Sequence, residues 1–225
     1  EPYVVGGHTA SGYWVDTNRQ TTIRHLYAAG DVAGGCPQKY VTGALVEGKI
    51  AAQAMVCEGF DRPSFLTKEE EQAILQEKVA EYNRFLTKKE ALFTAEELEE
   101  SMQKVMDAYA GGIGAQYQYN ERQLQIAHRK IDEIVELVDE LRAFDYHDLL
   151  FVYELKERLT VCNVLIAHLK ARKETRWHSF GENADYPDTK QEWLRYVNSR
   201  YVKGKLEIIY RPLYKGGEPY EHSHS

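Results

Sequence analysis

The sequence predicts a mainly α chain with a small β portion, an α+β protein in three zones. Three observations carry this. The middle of the chain is helix-periodic and opens twice on a capping box. The first zone is rich in Gly and Ala with short β-like runs. The last zone is rich in Trp, Tyr, Arg and Pro and holds one strand candidate. The boundaries fall at 1–62, 63–173 and 174–225.

In the first zone the β-like runs are Tyr3-Val4-Val5, Tyr13-Trp14-Val15 and Leu26-Tyr27-Ala28. Gly6-Gly7 and Thr17-Asn18-Arg19 punctuate them as turns. The third run passes into Ala29-Gly30-Asp31-Val32-Ala33-Gly34-Gly35, a glycine turn with one carboxylate at its tip. A helix follows from Thr42 to Glu58, with small residues at Gly43, Gly48, Ala51, Ala52 and Ala54. Glycine lets backbone approach a neighbour closely, and a strand–turn–helix of this kind suits a large flat cofactor whose sugar-like hydroxyls an acid can hold. The helix N-terminus carries partial positive charge and favours an electron-rich group. Gly30 and Asp31 are therefore the candidate cofactor-binding residues.

Two further residues flank that turn. His8 lies in Gly6-Gly7-His8-Thr9-Ala10-Ser11-Gly12, a loop rather than a core. It is either solvated or a donor to an anionic substrate. Lys39 precedes the helix and is either a solvated charge or a cation that holds an anion.

The middle zone is nearly all helix. Thr67-Lys68-Glu69-Glu70 and Thr94-Ala95-Glu96-Glu97 fit the capping box, in which hydroxyl and carboxylate satisfy free backbone donors reciprocally. Apolar stripes follow at Ile74, Val79 and Phe85, then at Leu98, Met102, Val105 and Met106. The next runs through Ile131, Ile134, Leu137, Val138 and Leu141. The last runs through Leu155, Leu159, Cys162, Leu165, Ile166 and Leu169. An antiparallel helical bundle follows from these spacings. Gly111-Gly112-Ile113-Gly114 follows a helix, not a strand, and lacks a phosphate-loop lysine; it reads as a hinge between helices.

The last zone predicts an irregular segment with a strand over Leu206–Tyr210. Its aromatics are too many to bury within so short a stretch, which suggests that it wraps over another surface. At its start, Arg172 and Lys173 suit a helix C-terminus, where cations offset the dipole. Arg176 and Trp177 fit that role less well, which makes Arg176 a candidate for anion handling.

Composition bounds the function. The 225 residues carry a net charge of −7, which argues against a nucleic-acid face. Cys36, Cys57 and Cys162 are widely spaced, giving no expectation of a disulfide framework or of a metal site. No apolar run reaches a membrane span and no signal peptide is visible. The cysteine usage fits a reducing cytoplasm, directly or at the periphery of the inner membrane through partners. The chain starts at Glu1 within a strand-like phrase, from which a piece of a larger protein is expected.

With those residues in view, the chain resembles the C-terminal part of the flavoprotein subunits of the succinate dehydrogenase and fumarate reductase superfamily. Glu1-Pro2-Tyr3-Val4-Val5-Gly6-Gly7-His8-Thr9 is similar to the substrate-side loop of that superfamily. Leu26 to Asp31 is similar to its second flavin-binding strand and turn. Ala171-Arg172-Lys173-Glu174-Thr175-Arg176 is similar to the arginine–glutamate phrase after its helical domain. Within it the chain looks most like the alpha subunits of adenylylsulfate reductases. The carriers are Gln38-Lys39-Tyr40-Val41-Thr42-Gly43 leading to Glu47-Gly48-Lys49-Ile50-Ala51-Ala52, then Tyr153-Glu154-Leu155-Lys156-Glu157-Arg158-Leu159, then Glu174-Thr175-Arg176-Trp177 with Trp193 beyond.

The resemblance implies FAD as cofactor. The first zone becomes the C-terminal part of an FAD-binding domain. Asp31 would bond the ribityl chain, Gly30 and the backbone of Gly43, Ala44 and Leu45 would pack on the cofactor, and His8 would face a small anionic substrate. It implies an electron path between substrate, flavin and an iron–sulfur partner subunit, with Lys39 and Arg176 as further catalytic candidates. The piece alone would be inactive, since the GxGxxG turn of the family lies outside it. Fumarate reductases carry an Asn-Arg phrase before the cofactor helix. Here Cys36-Pro37-Gln38-Lys39 stands instead, which weighs against fumarate reduction by that route. The adenylylsulfate reductase pattern has a histidine before the lysine, and Gln38 removes that ionisable group. The rival readings are a fumarate, succinate or aspartate oxidoreductase of the same superfamily, and a non-catalytic helical docking module.

Overall fold

The computed structural model describes residues 11–36, 40–59, 66–176, 181–214, 216 and 222. The chain forms two units, one of residues 1–64 with 213–225 and one of residues 65–212.

The second unit holds the bundle. Its helices are α2 (Lys68–Leu86), α3 (Ala95–Tyr109), α4 (Glu121–Val138) and α5 (Tyr146–Ala171); α1 (Val41–Glu58) belongs to the first unit. Both capping boxes form: Thr67 accepts from the Glu70 N–H and Thr94 from the Glu97 N–H, while each glutamate returns a bond to the threonine N–H. Asn120 and Asp145 cap α4 and α5 in the same way, by accepting backbone N–H groups of the first turn.

Leu98, Met102 and Val105 of α3 pack with Leu124, Ile131, Ile134 and Val138 of α4 and Leu155, Leu159 and Ile166 of α5 in one apolar core. Each such side chain contributes about 1.5–3 kcal/mol on burial. The helices α4 and α5 run antiparallel. His128 meets Asn163 near one end, and Asp139, just past α4, meets Lys156 near the other. The helix α2 departs from its expected stripe. Phe85 is fully buried, but Ile74 and Val79 are exposed, because α2 meets α5 mainly near its own C-terminal end through Glu81, which accepts from the Tyr153 hydroxyl.

The Gly111–Gly114 phrase closes α3 as a tight turn. The Asp107 carboxylate accepts the Gly114 N–H, and a Cβ on Gly112 would lie 2.4 Å from the Asp107 Cα. The chain then enters β1 (Gln118–Tyr119), which pairs in parallel with β2 (Glu182–Asn183). The expected strand Leu206–Tyr210 extends to β4 (Lys205–Pro212), and it pairs antiparallel with β3 (Arg195–Val202), a strand beyond the one expected in this zone. Lys203 and Gly204 join them with φ of 49° and 76°, the left-handed pair that matches hairpin twist. The ribbon packs on the end of α5, where His168 Nε2 lies 2.9 Å from the Ser199 hydroxyl.

In the first unit the expected runs Tyr13–Val15 and Leu26–Ala28 form isolated bridges, not continuous strands. Tyr13 pairs with Ala33, Val15 with Thr21 and Gln20 with Tyr27. A ladder needs adjacent paired residues, and here each contact is interrupted by a turn. The run Tyr3–Val5 lies outside the described residues.

Candidate functional site

The glycine turn is built as a short 3₁₀ helix over Gly30–Val32. Gly30 is buried at φ +74°, a conformation that favours glycine, and a Cβ placed there would lie 3.1 Å from the Ala44 Cβ. Turn and helix therefore touch backbone to small side chain. Asp31, at the tip, is exposed.

What fixes the turn on α1 is Glu47. Its carboxylate is buried and accepts the Gly30 N–H at 2.9 Å, while Arg19 Nε lies 3.2 Å from its other oxygen. The far end of α1 is tied down separately. Glu58 accepts from the Tyr27 hydroxyl and from Gln20 Nε2, and His25 Nδ1 stands 3.3 Å away. The Tyr27 bond, followed by those of Gln20 and His25, holds the Glu58 carboxyl below its ordinary range.

The rest of α1 is unlike a surface helix. Val41, Leu45 and Val56 are 75%, 69% and 70% exposed, and Val46 and Met55 are exposed as well. A helix that exposes this much aliphatic surface is normally covered. The N-cap residue of the helix is Tyr40, whose side chain makes no cap bond to the first turn. A glycine cradle, a carboxylate tip and an apolar helix start fit a flat cofactor with a polyhydroxyl arm.

The structure brings Gly30, Asp31, Gly43, Ala44 and Leu45 together in the first unit. His8 and Lys39 lie outside the described residues, as do Trp177 and His178. Arg176 belongs to the second unit. Its guanidinium grips Glu174 with two bonds of 2.9 Å and donates a third to the Lys190 carbonyl. Arg172 donates to the same carboxylate at 2.7 Å, and the Lys190 N–H at 2.9 Å. Burial opposes ionisation of Glu174, but Arg176, Lys190 and Arg172 together hold its carboxyl below the usual range. Glu47, Arg19 and Glu174 had no role in the sequence reading. For Glu47 the available signal was a lone acid within a mainly apolar helix, Val41 to Val56, which is a costly place for a charge without a partner. Among the described residues no helix is long and apolar enough to cross a membrane, and no three His, Cys, Asp or Glu residues converge as metal ligands.

No family model matches the chain. Adenylylsulfate reductase subunit alpha of Megalodesulfovibrio gigas is 27% identical over 259 residues, covering 96% of this chain and 38% of that protein. The structure of adenylylsulfate reductase from the hyperthermophilic Archaeoglobus fulgidus matches with a TM-score of 0.78 at 29% identity, over 90% of this chain and 34% of that one. The E. coli quinol fumarate reductase matches with a TM-score of 0.74 over 94% of this chain and 37% of that one; at 18% identity this likeness is one of fold. The chain thus spans 38% of the length of the curated relative it matches.

Proposed function

We infer that this chain, a homologue of the adenylylsulfate reductase alpha subunit, is the C-terminal part of an FAD-dependent reductase flavoprotein. The single observation that carries the reading is the match to that subunit over 96% of the chain. The local support is the Gly30–Asp31 turn seated on the start of α1. Asp31 would hold the ribityl hydroxyls, and Gly30 with Gly43, Ala44 and Leu45 would pack on the cofactor.

When bound, flavin supplies an electron-pair acceptor that can release electrons singly. An iron–sulfur subunit is the partner that matches such release. His8 would bind the anionic substrate or hold its proton, and Lys39 would add positive charge near the α1 start. Arg176 serves the site less directly on this reading, since its guanidinium is engaged by Glu174. The substrate class is a sulfur–nucleotide anhydride, as the name of the relative suggests. Cys36-Pro37-Gln38-Lys39 lacks the arginine of the fumarate route.

The test uses the full-length protein reconstituted with FAD and a reduced dye. Adenylylsulfate-dependent dye oxidation, at least tenfold above that with fumarate, is expected, and His8→Ala should lower kcat by about 10²-fold or more. Turnover of fumarate alone would move the protein to the rival branch. Unchanged turnover of His8→Ala would remove His8 from the mechanism.

A further inference from the structure

The geometry points to Glu47 as the positioning residue of the flavin-binding turn, an inference that rests on the reading of Gly30–Asp31 as the flavin site. Glu47 is the only acid in α1 before its final residue, and its side chain is 4% exposed in a helix that is otherwise largely open. A buried carboxylate is costly unless it is bonded and charge-paired. Both conditions are met from the loop side, by the Gly30 N–H at 2.9 Å and by Arg19 at 3.2 Å.

The consequence concerns Asp31. Gly30 stands at φ +74°, where glycine has wide freedom, and a neighbouring fixed point is needed to select one orientation. The Glu47 bond is that point. It sets the direction of the Ala29–Gly30 peptide, and Asp31 is the next residue along. Ala44 closes the other side of Gly30, one turn earlier on the same helix. One helix therefore presents its apolar N-terminal face to the cofactor and, through Glu47, aims the carboxylate that meets the cofactor's hydroxyls. Arg19 balances the Glu47 charge, so the turn is held without adding net negative charge beside an anionic cofactor.

Glu47 acts on the turn through the reach of its accepting oxygen, and this separates it from a general structural role. Glu47→Gln keeps an oxygen at the same distance and loses the charge. Glu47→Asp keeps the charge and shortens the arm by one methylene. In the full-length protein, FAD Kd is measured by flavin fluorescence on titrating the apoprotein, with the visible flavin spectrum as a second readout. Glu47→Gln is expected within about threefold of wild type. Glu47→Asp is expected about tenfold weaker with a shifted spectrum, the scale of one buried donor left unpaired. Asp31→Asn should weaken FAD in the wild-type background and have less than about a twofold effect in the Glu47→Asp background, because coupled residues are not additive.

The reverse order of Gln and Asp, or equal cost of Asp31→Asn in both backgrounds, overturns the role of Glu47 and leaves the flavin reading standing. A wild-type protein that takes up no FAD overturns both. Circular dichroism of the two conservative variants confirms that folded protein is compared.

Discussion

Glu174 is a residue whose charge is useful only because three donors converge on it. Its carboxylate is fully buried, and removing it would leave Arg172 and Arg176 facing one another without a counter-charge. Glu174→Ala should therefore cost about 3–5 kcal/mol in urea unfolding, the range for breaking a buried pair. The pH dependence has a definite sign. The folded carboxyl titrates below its unfolded value, so its stabilisation is present above that unfolded value and is lost as pH falls through the folded one. The gap between wild type and Glu174→Gln should narrow on acidification from neutral pH. His168 works in the opposite chemical sense. Burial, then the charge of Arg172, lowers its imidazole below the ordinary value, so folding favours the neutral ring. The stability it contributes is present above the unfolded value, about 6.5, and is lost as pH falls through the folded one. A His168→Gln variant should lose less stability than wild type between neutral and mildly acidic pH in the same unfolding assay. At this scale the sequence was least informative. Glu47 and Glu174 both sat inside quoted phrases, but a carboxylate announces nothing until its partners are known. Gly30 lies 17 residues from Glu47; Glu174 has Arg172 and Arg176 two residues off, and its distant donor is Lys190, 16 residues on.

Elements were more legible where local chemistry decides them. Thr67 and Thr94 each announce a helix start, because the reciprocal bonds of a capping box close within four residues. Thr94→Ala should cost about 1 kcal/mol, read as a fall in urea midpoint with an unchanged slope. The bundle core was visible for the same reason: Leu98, Met102, Ile131, Ile134, Val138, Leu155 and Leu159 recur at helical spacing, and all are buried. The strand β3 was hidden. Its sequence, Arg195-Tyr196-Val197-Asn198-Ser199-Arg200-Tyr201-Val202, has only two aliphatic residues, and its hairpin turn is Lys203-Gly204, not the more telling Asn-Gly. What stabilises it is tertiary. The Arg195 guanidinium stacks over Trp193 at 4.4 Å and Tyr210 at 4.8 Å, and Arg172 donates to the Trp193 and Arg195 carbonyls. No window of sequence contains all four residues. The bridges of the first unit were over-read as strands for a related reason. β-propensity in Tyr13–Val15 and Leu26–Ala28 measures fitness for a sheet, but a strand exists only where a neighbour supplies a ladder.

The whole molecule poses a burial problem that its two units answer differently. The second unit buries its apolar residues in one core shared by α3, α4 and α5, to which α2 adds Phe85. In the first unit the buried apolar cluster is Val15, Ala28 and Ala33, while Val41, Leu45, Val46 and Val56 of α1 face outward. At roughly 25 cal/mol per Å² of apolar surface, leaving such a helix open forgoes several side chains' worth of stabilisation. The same face is what a flavoprotein core would cover with cofactor and further sheet, and the chain spans only 38% of its curated relative. The 225-residue chain by itself should therefore bind a hydrophobic dye and self-associate with rising concentration, whereas Leu45→Ser with Val46→Ser should lower both signals and leave helicity intact. Full-length protein loaded with FAD should show little dye binding. If the double serine variant binds dye as strongly as the parent chain, the open surface lies elsewhere, and α1 loses its standing as the face that a larger flavoprotein would close.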